Sequence, residues 1–149
     1  MCLLEARAYY AAKLVRAHEI TRHDRRVTVV FEAGATHLFS VETVTGEVVC
    51  AEDRVDRSIG GGRVDVRRFS LERARLMDHV LPALSDFTVS SSAQGGNRLV
   101  YGPRLPDGRY MRVVLRPGPG SALTCVSAYP VAEHAWMNAR RSKGARFPP

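Results

Sequence analysis

Three runs rich in β-branched and aromatic residues, 98–101, 109–116 and 123–129, are separated by Pro106-Asp107-Gly108 and by Pro117-Gly118-Pro119-Gly120. Proline presets φ for a turn and glycine supplies the left-handed backbone that other residues avoid, so the pattern predicts consecutive hairpins. The C-terminal half of the chain is therefore expected to be an antiparallel sheet, which limits the fold classes open to the remainder.

Residues 2–20 contain no Gly or Pro, and Leu4, Ala8, Ala11, Ala12, Val15 and Glu19 recur near helical spacing, which predicts an N-terminal helix. Apolar runs at 27–31, 37–41 and 47–50, broken by Gly34 and Gly46, read as a three-stranded meander. The charged stretch 52–65 with Gly60-Gly61-Gly62 reads as a flexible loop. It lacks the Lys and Ser/Thr that a phosphate loop needs at fixed offsets. Ser70 is a helix N-cap, Glu72 sits in the first turn, and Met77, Val80, Leu81 and Leu84 form a core-facing stripe that Pro82 kinks or shortens. The fold class is α+β: N-terminal helix and β-meander, central helix, C-terminal antiparallel sheet. A single domain spans 1–149, with the helix and meander in 1–67, the central helix and sheet in 68–130, and a basic tail in 131–149.

A chain of 149 residues with 45% hydrophobic content can bury about two thirds of its unfolded surface without a staple. No run approaches the ~18 apolar residues of a membrane span, so no membrane partner is expected. Glu5 and Arg7 interrupt the apolar opening before a secretory segment could form, which points to a cytoplasmic protein with no export signal of its own, or one delivered into a target cell's cytoplasm. Cys2, Cys50 and Cys125 are odd in number and widely spaced, which fits neither a disulfide framework nor a zinc site. No Asp/Glu/His grouping has metal-ligand spacing, so no metal and no other cofactor is expected.

From Arg104 onward eight basic residues (Arg104, Arg109, Arg112, Arg116, Arg140, Arg141, Lys143 and Arg146) face two acidic ones, Asp107 and Glu133, so this third holds +6 of the net +7. Nearly all the basic residues of the chain are arginine, whose planar fork suits phosphate. Strand alternation places Met111, Val113 and Leu115 on one side and Tyr110, Arg112, Val114 and Arg116 on the other, and it puts Cys125, Ser127 and Tyr129 together on the last strand. If that side adjoins Arg112, guanidinium, hydroxyl and phenol meet on one face. Such a set suits RNA cleavage by 2′-hydroxyl attack, with cations holding the phosphorane. The acid and base are sought among the five histidines, foremost His37 and His79, or in Tyr and Arg acting electrostatically.

The run Arg68-Phe69-Ser70-Leu71-Glu72-Arg73-Ala74-Arg75, then Leu81-Pro82-Ala83-Leu84, Val100-Tyr101, Arg112-Val113-Val114-Leu115 and Val126-Ser127-Ala128-Tyr129-Pro130, resembles the barnase/EndoU/colicin E5-D/RelE superfamily of compact ribonucleases. That superfamily includes toxin domains of contact-dependent inhibition systems and phage-encoded relatives. The resemblance covers residues 68–130. It implies a toxin- or effector-type endoribonuclease that needs no metal, with Ser127 and Tyr129 at last-strand site positions and Arg112 as a strand cation. Arg75 or His79 would take the helix position. The chain departs from the pattern by lacking a catalytic His at the helix start.

With His37 and His79 this gives a catalytic set of His37, His79, Arg112, Ser127 and Tyr129, and an RNA-binding set of Arg75, Arg98, Tyr101 and Arg116. The expected partners are RNA, tRNA included, and an acidic immunity or antitoxin protein. An inactive relative that binds RNA or a protein through the same face is the alternative, and a domain binding a phosphorylated small molecule is a third reading.

Overall fold

The computed structural model describes residues 2–22, 24–33, 40–42, 54–59, 63–118 and 120–142. The protein is α+β. Its larger sheet has six strands, β1 (Ala17–Arg22), β2 (Arg25–Val30), β6 (Val89–Ser92), β7 (Arg98–Arg104), β8 (Tyr110–Pro117) and β9 (Leu123–Val131), in the order β1-β2-β9-β8-β7-β6. A second sheet of three strands, β3 (Ser40–Glu42), β4 (Arg54–Ile59) and β5 (Arg63–Phe69), has the order β3-β5-β4. Among the described residues there are also four α-helices: α1 (Leu3–Lys13), α2 (Leu71–Arg75), α3 (Val80–Ser85) and α4 (Glu133–Arg141).

The C-terminal strands form as their turns predict. Gly108 and Gly120 hold φ of 89° and 70° in the two connecting loops, and β6 through β9 pair antiparallel. The larger sheet is nevertheless mixed, because β2 joins β9 in parallel through Val29 opposite Leu123 and Val30 opposite Thr124.

Several N-terminal expectations are overturned. The first helix ends at Lys13, and residues 17–22 are a strand in which Ile20 is buried while Glu19 and Thr21 are exposed. Period two wins there because β1 pairs with β2 across its full length, from Ala17 opposite Val30 to Arg22 opposite Arg25. The buried side of α1 is Ala6 and Tyr10, continued by the C-cap Leu14, whereas Leu4 of the proposed stripe is 73% exposed. The three-stranded meander does not form, since β2 and β3 lie in different sheets; its third strand at 47–50 lies outside the described residues. The proposed loop 52–65 is largely β4 and β5, paired antiparallel with Ile59 opposite Arg63. Alternation of Val with charged residues in 63–67 carries that strand signal.

Ser70 caps α2 as expected, its hydroxyl accepting from the Arg73 amide at 3.2 Å. The helix breaks through a 3-10 turn at Met77–His79, one turn ahead of Pro82, which lacks the N–H that would bond the Asp78 carbonyl. The stripe behaves as predicted: Met77, Val80 and Leu84 are buried, with Leu81 partly so. These residues pack with those of α1 against Val27, Val29, Val100, Met111, Val113, Leu115, Cys125 and Ala128 on the inner face of the larger sheet. Fully burying a side chain such as Leu84 or Leu115 contributes about 2–3 kcal/mol. Residues 133–141 of the expected basic tail form α4, whose Trp136 stacks on Tyr110 with ring centroids 4.9 Å apart and donates to the Thr88 hydroxyl at 2.9 Å.

Candidate nucleic-acid interface

The outer face of the larger sheet carries one row of ring, guanidinium and ring. Tyr101 of β7 lies opposite Arg112 of β8, and Arg112 lies opposite Tyr129 of β9. The next row toward the chain ends holds Leu99, Val114 and Ser127. Ser127 and Tyr129 share a side as alternation predicts, and the β8–β9 register makes it the Arg112 side, which alternation alone had left open.

Cys125 does not join them. The β8–β9 register passes from Val114 opposite Ser127 to Leu115 opposite Cys125, which leaves Val126 as an extra residue on β9. This bulge turns Cys125 inward, where it is fully buried with Leu115. Burial pushes its thiol up to about 12. A second irregularity sits at Gly102-Pro103 on β7, where proline has no N–H to give to the ladder.

Arg112 is the centre of the site. Its Nη1 donates to the Tyr129 hydroxyl at 3.1 Å, and its guanidinium carbon lies 5.1 Å from the Tyr101 ring centroid and 5.5 Å from that of Tyr129. Burial works against the charge of this half-buried side chain. The Tyr129 hydrogen bond and the two phenols more than offset it and hold the pKa above its ordinary value. Its Nε is buried and has no acceptor among the described residues. A buried charged donor left in this state is costly, and an anionic oxygen would satisfy it.

Sequence reasoning missed Arg73. Its guanidinium carbon lies 5.1 Å from the centroid of the Tyr129 ring, so Tyr129 is approached by two arginines from different elements. The Ser70 cap fixes the start of α2. Arg109 ties that start to β8, reaching Glu72 at 2.5 Å and Asp107 at 2.7 Å. Arg73 stood within the recognised run, but a helix-to-strand contact leaves no periodic signal in sequence.

The remaining expected residues are scattered. Arg75 is exposed on α2, two positions from Arg73 and so on another side of the helix. Arg98 lies opposite Leu115 and so belongs to the inner side of the sheet, away from Tyr101. Arg116 is exposed and pairs with Glu32 at 3.6 Å. His79 is half-buried in the 3-10 turn, and its side chain makes no hydrogen bond or ion pair among the described residues. His37 lies outside the described residues. Tyr101 is buried, so its ring supports Arg112 rather than offering an open stacking surface.

Among the described residues no group of three or more His, Cys, Asp or Glu side chains could hold a metal ion, and no helix is long and apolar enough to cross a membrane. No protein-family model, no curated protein and no solved structure matches this chain.

Proposed function

We propose that the chain is a ribonuclease that takes an RNA phosphate at the Arg112–Tyr129 site and cleaves it by 2′-hydroxyl attack without a metal ion. The observation that carries this reading is the Arg112 guanidinium: one nitrogen is anchored on the Tyr129 hydroxyl and another is buried with no acceptor among the described residues. In the reaction the O2′–P bond forms and the P–O5′ bond breaks. The Tyr129 oxygen receives the 2′ proton while its own proton passes to the departing 5′ oxygen, and Arg112 and Arg73 hold the charge of the phosphorane. The products are a 2′,3′-cyclic phosphate and a 5′-hydroxyl. An acidic immunity or antitoxin protein would suit the same basic face, and the cytoplasm, where tRNA is abundant, is the compartment that fits this activity.

The test is incubation of the purified chain with total RNA or tRNA in EDTA, with analysis of the product ends. Cleavage leaving 2′,3′-cyclic phosphate is expected. Cleavage that appears only with added magnesium would overturn the mechanism. Binding without cleavage is the second reading, and it draws on His79, whose side chain makes no hydrogen bond or ion pair among the described residues, while Tyr129 has only arginines beside its hydroxyl and ring in the contacts named above. Salt-sensitive RNA binding with intact RNA at all times would establish it in place of the first.

A further inference from the structure

At the end of the larger sheet, on the side away from Arg112, a cavity of about 270 Å³ opens between β2, the start of β7 and the turn that joins β8 to β9. Arg26, Val27, Arg98, Pro117, Ser121 and Leu123 are among its lining residues. We infer that this cavity is a second, separate site for a small phosphate ester with an apolar body, of the nucleoside monophosphate class.

Three observations carry the inference. Arg98 lines the cavity, and its Nη1 is buried with no acceptor among the described residues, the same unmet demand that marks Arg112. An ionised donor in that position favours an oxyanion over water, because charge-assisted hydrogen bonds are about twice as strong as neutral ones. Arg26, exposed on β2, is a second arginine among the lining residues, so the surroundings of this one small volume are basic.

The cavity is also more than a point for an ion. Val27 and Leu123 are buried side chains of the inner face, and with Pro117 they form an apolar wall beside the two arginines. A volume of about 270 Å³ exceeds what a bare phosphate fills and matches the lower end of small-molecule pockets, roughly 300 Å³. The backbone positions are firm: Arg98 is paired to Ser92 on one side and Leu115 on the other, and the turn is closed by the Gly118 amide donating to the Ala122 carbonyl at 3.0 Å. The site does not depend on the ribonuclease reading, since Arg98 and Arg112 occupy opposite faces of the sheet.

Calorimetric titration of the full chain with uridine monophosphate, inorganic phosphate and uridine tests the inference. Saturable binding of the monophosphate is expected, about 10-fold tighter than inorganic phosphate, with no measurable binding of uridine. Arg98→Met keeps the apolar stem and should weaken the monophosphate by about 10-fold or more, Arg26→Ala by less, and Arg7→Ala, exposed on α1, not at all. Circular dichroism melting of each variant establishes that it is folded, and Arg98→Lys should recover part of the affinity if charge is what the ligand reads. No saturable binding to the native chain would overturn the inference. So would equal affinity for phosphate and monophosphate, or loss of binding in Arg112→Ala with Arg98→Met unaffected, which would put the ligand on the outer face.

Discussion

Removing the Tyr129 hydroxyl takes from Arg112 the acceptor of its Nη1, while leaving the ring that both Arg112 and Arg73 approach. Tyr129→Phe should therefore lower single-turnover RNA cleavage by about 10²-fold with little change in Tm, because no core volume is deleted. Ser127→Ala should be milder, since Ser127 lies one row away from Arg112, opposite Val114. Equal activity of the Tyr129→Phe variant and the parent would remove this phenol from the mechanism. That Ser127 and Tyr129 share a face was legible from strand alternation, whereas its being the Arg112 face depends on the β8–β9 register, which alternation does not carry. Cys125 was misplaced because one extra residue, Val126, shifts the parity of everything before it, and a bulge has no residue signature of its own. The buried thiol gives a separate prediction. Its folded value of about 12 lies above its ordinary 9.0, so above pH 9 the unfolded chain loses this proton first and stability must fall as pH rises. By about pH 10.5 the loss from this group alone approaches about 2 kcal/mol. Burial raises the Tyr10 phenol too, which adds to the same alkaline decline. Urea unfolding at rising pH should show a shallower decline in Cys125→Ala than in the parent, and identical slopes would refute the assignment.

At the level of elements, the packing of α3 on β7 is set by a glycine. A Cβ built at Gly102 would stand 2.7 Å from the Ala83 Cβ and 3.0 Å from its Cα, distances that require the helix to move. Gly102→Ala should cost about 1–3 kcal/mol in urea unfolding, and pairing it with Ala83→Gly should recover part of the loss. A Gly102→Ala variant as stable as the parent would mean that α3 does not sit this close. Which elements were legible follows from where their information lies. The strands after Arg98 announce themselves through turn residues, and α2 through the Ser70 cap. The boundary between α1 and β1 could not be read, because 14–16 contain neither Gly nor Pro and the strand character of 17–22 depends on pairing with β2. The helix α4 was hidden by its polar sequence. It is held in part by Trp136 stacked on Tyr110 and bonded to Thr88, contacts made to other elements.

On the scale of the whole molecule, strand order explains why local reading failed most in the N-terminal half. β9, from the last third of the chain, sits between β2 and β8, so the partner of β2 lies more than ninety residues away in sequence and no local pattern names it. The same order gives the sheet two unlike faces: an inner one closed by α1, α2 and α3, and an outer one on which Arg112, supported by Arg73, stands among phenols. If a single strand of RNA lies on that outer face, each arginine that meets a phosphate should contribute about 0.7 to the slope of log affinity against log salt concentration. The double variant Arg73→Ala, Arg112→Ala should therefore flatten the slope by about 1.4. Arg7→Ala serves as the comparison. Arg7 is exposed on α1, a helix packed against the inner face, so its loss should leave the slope unchanged although it removes a full positive charge. Equal flattening by both would mean that RNA responds to the net charge of +7 rather than to one face. An effect of Arg7→Ala alone would place the nucleic acid on the helical side.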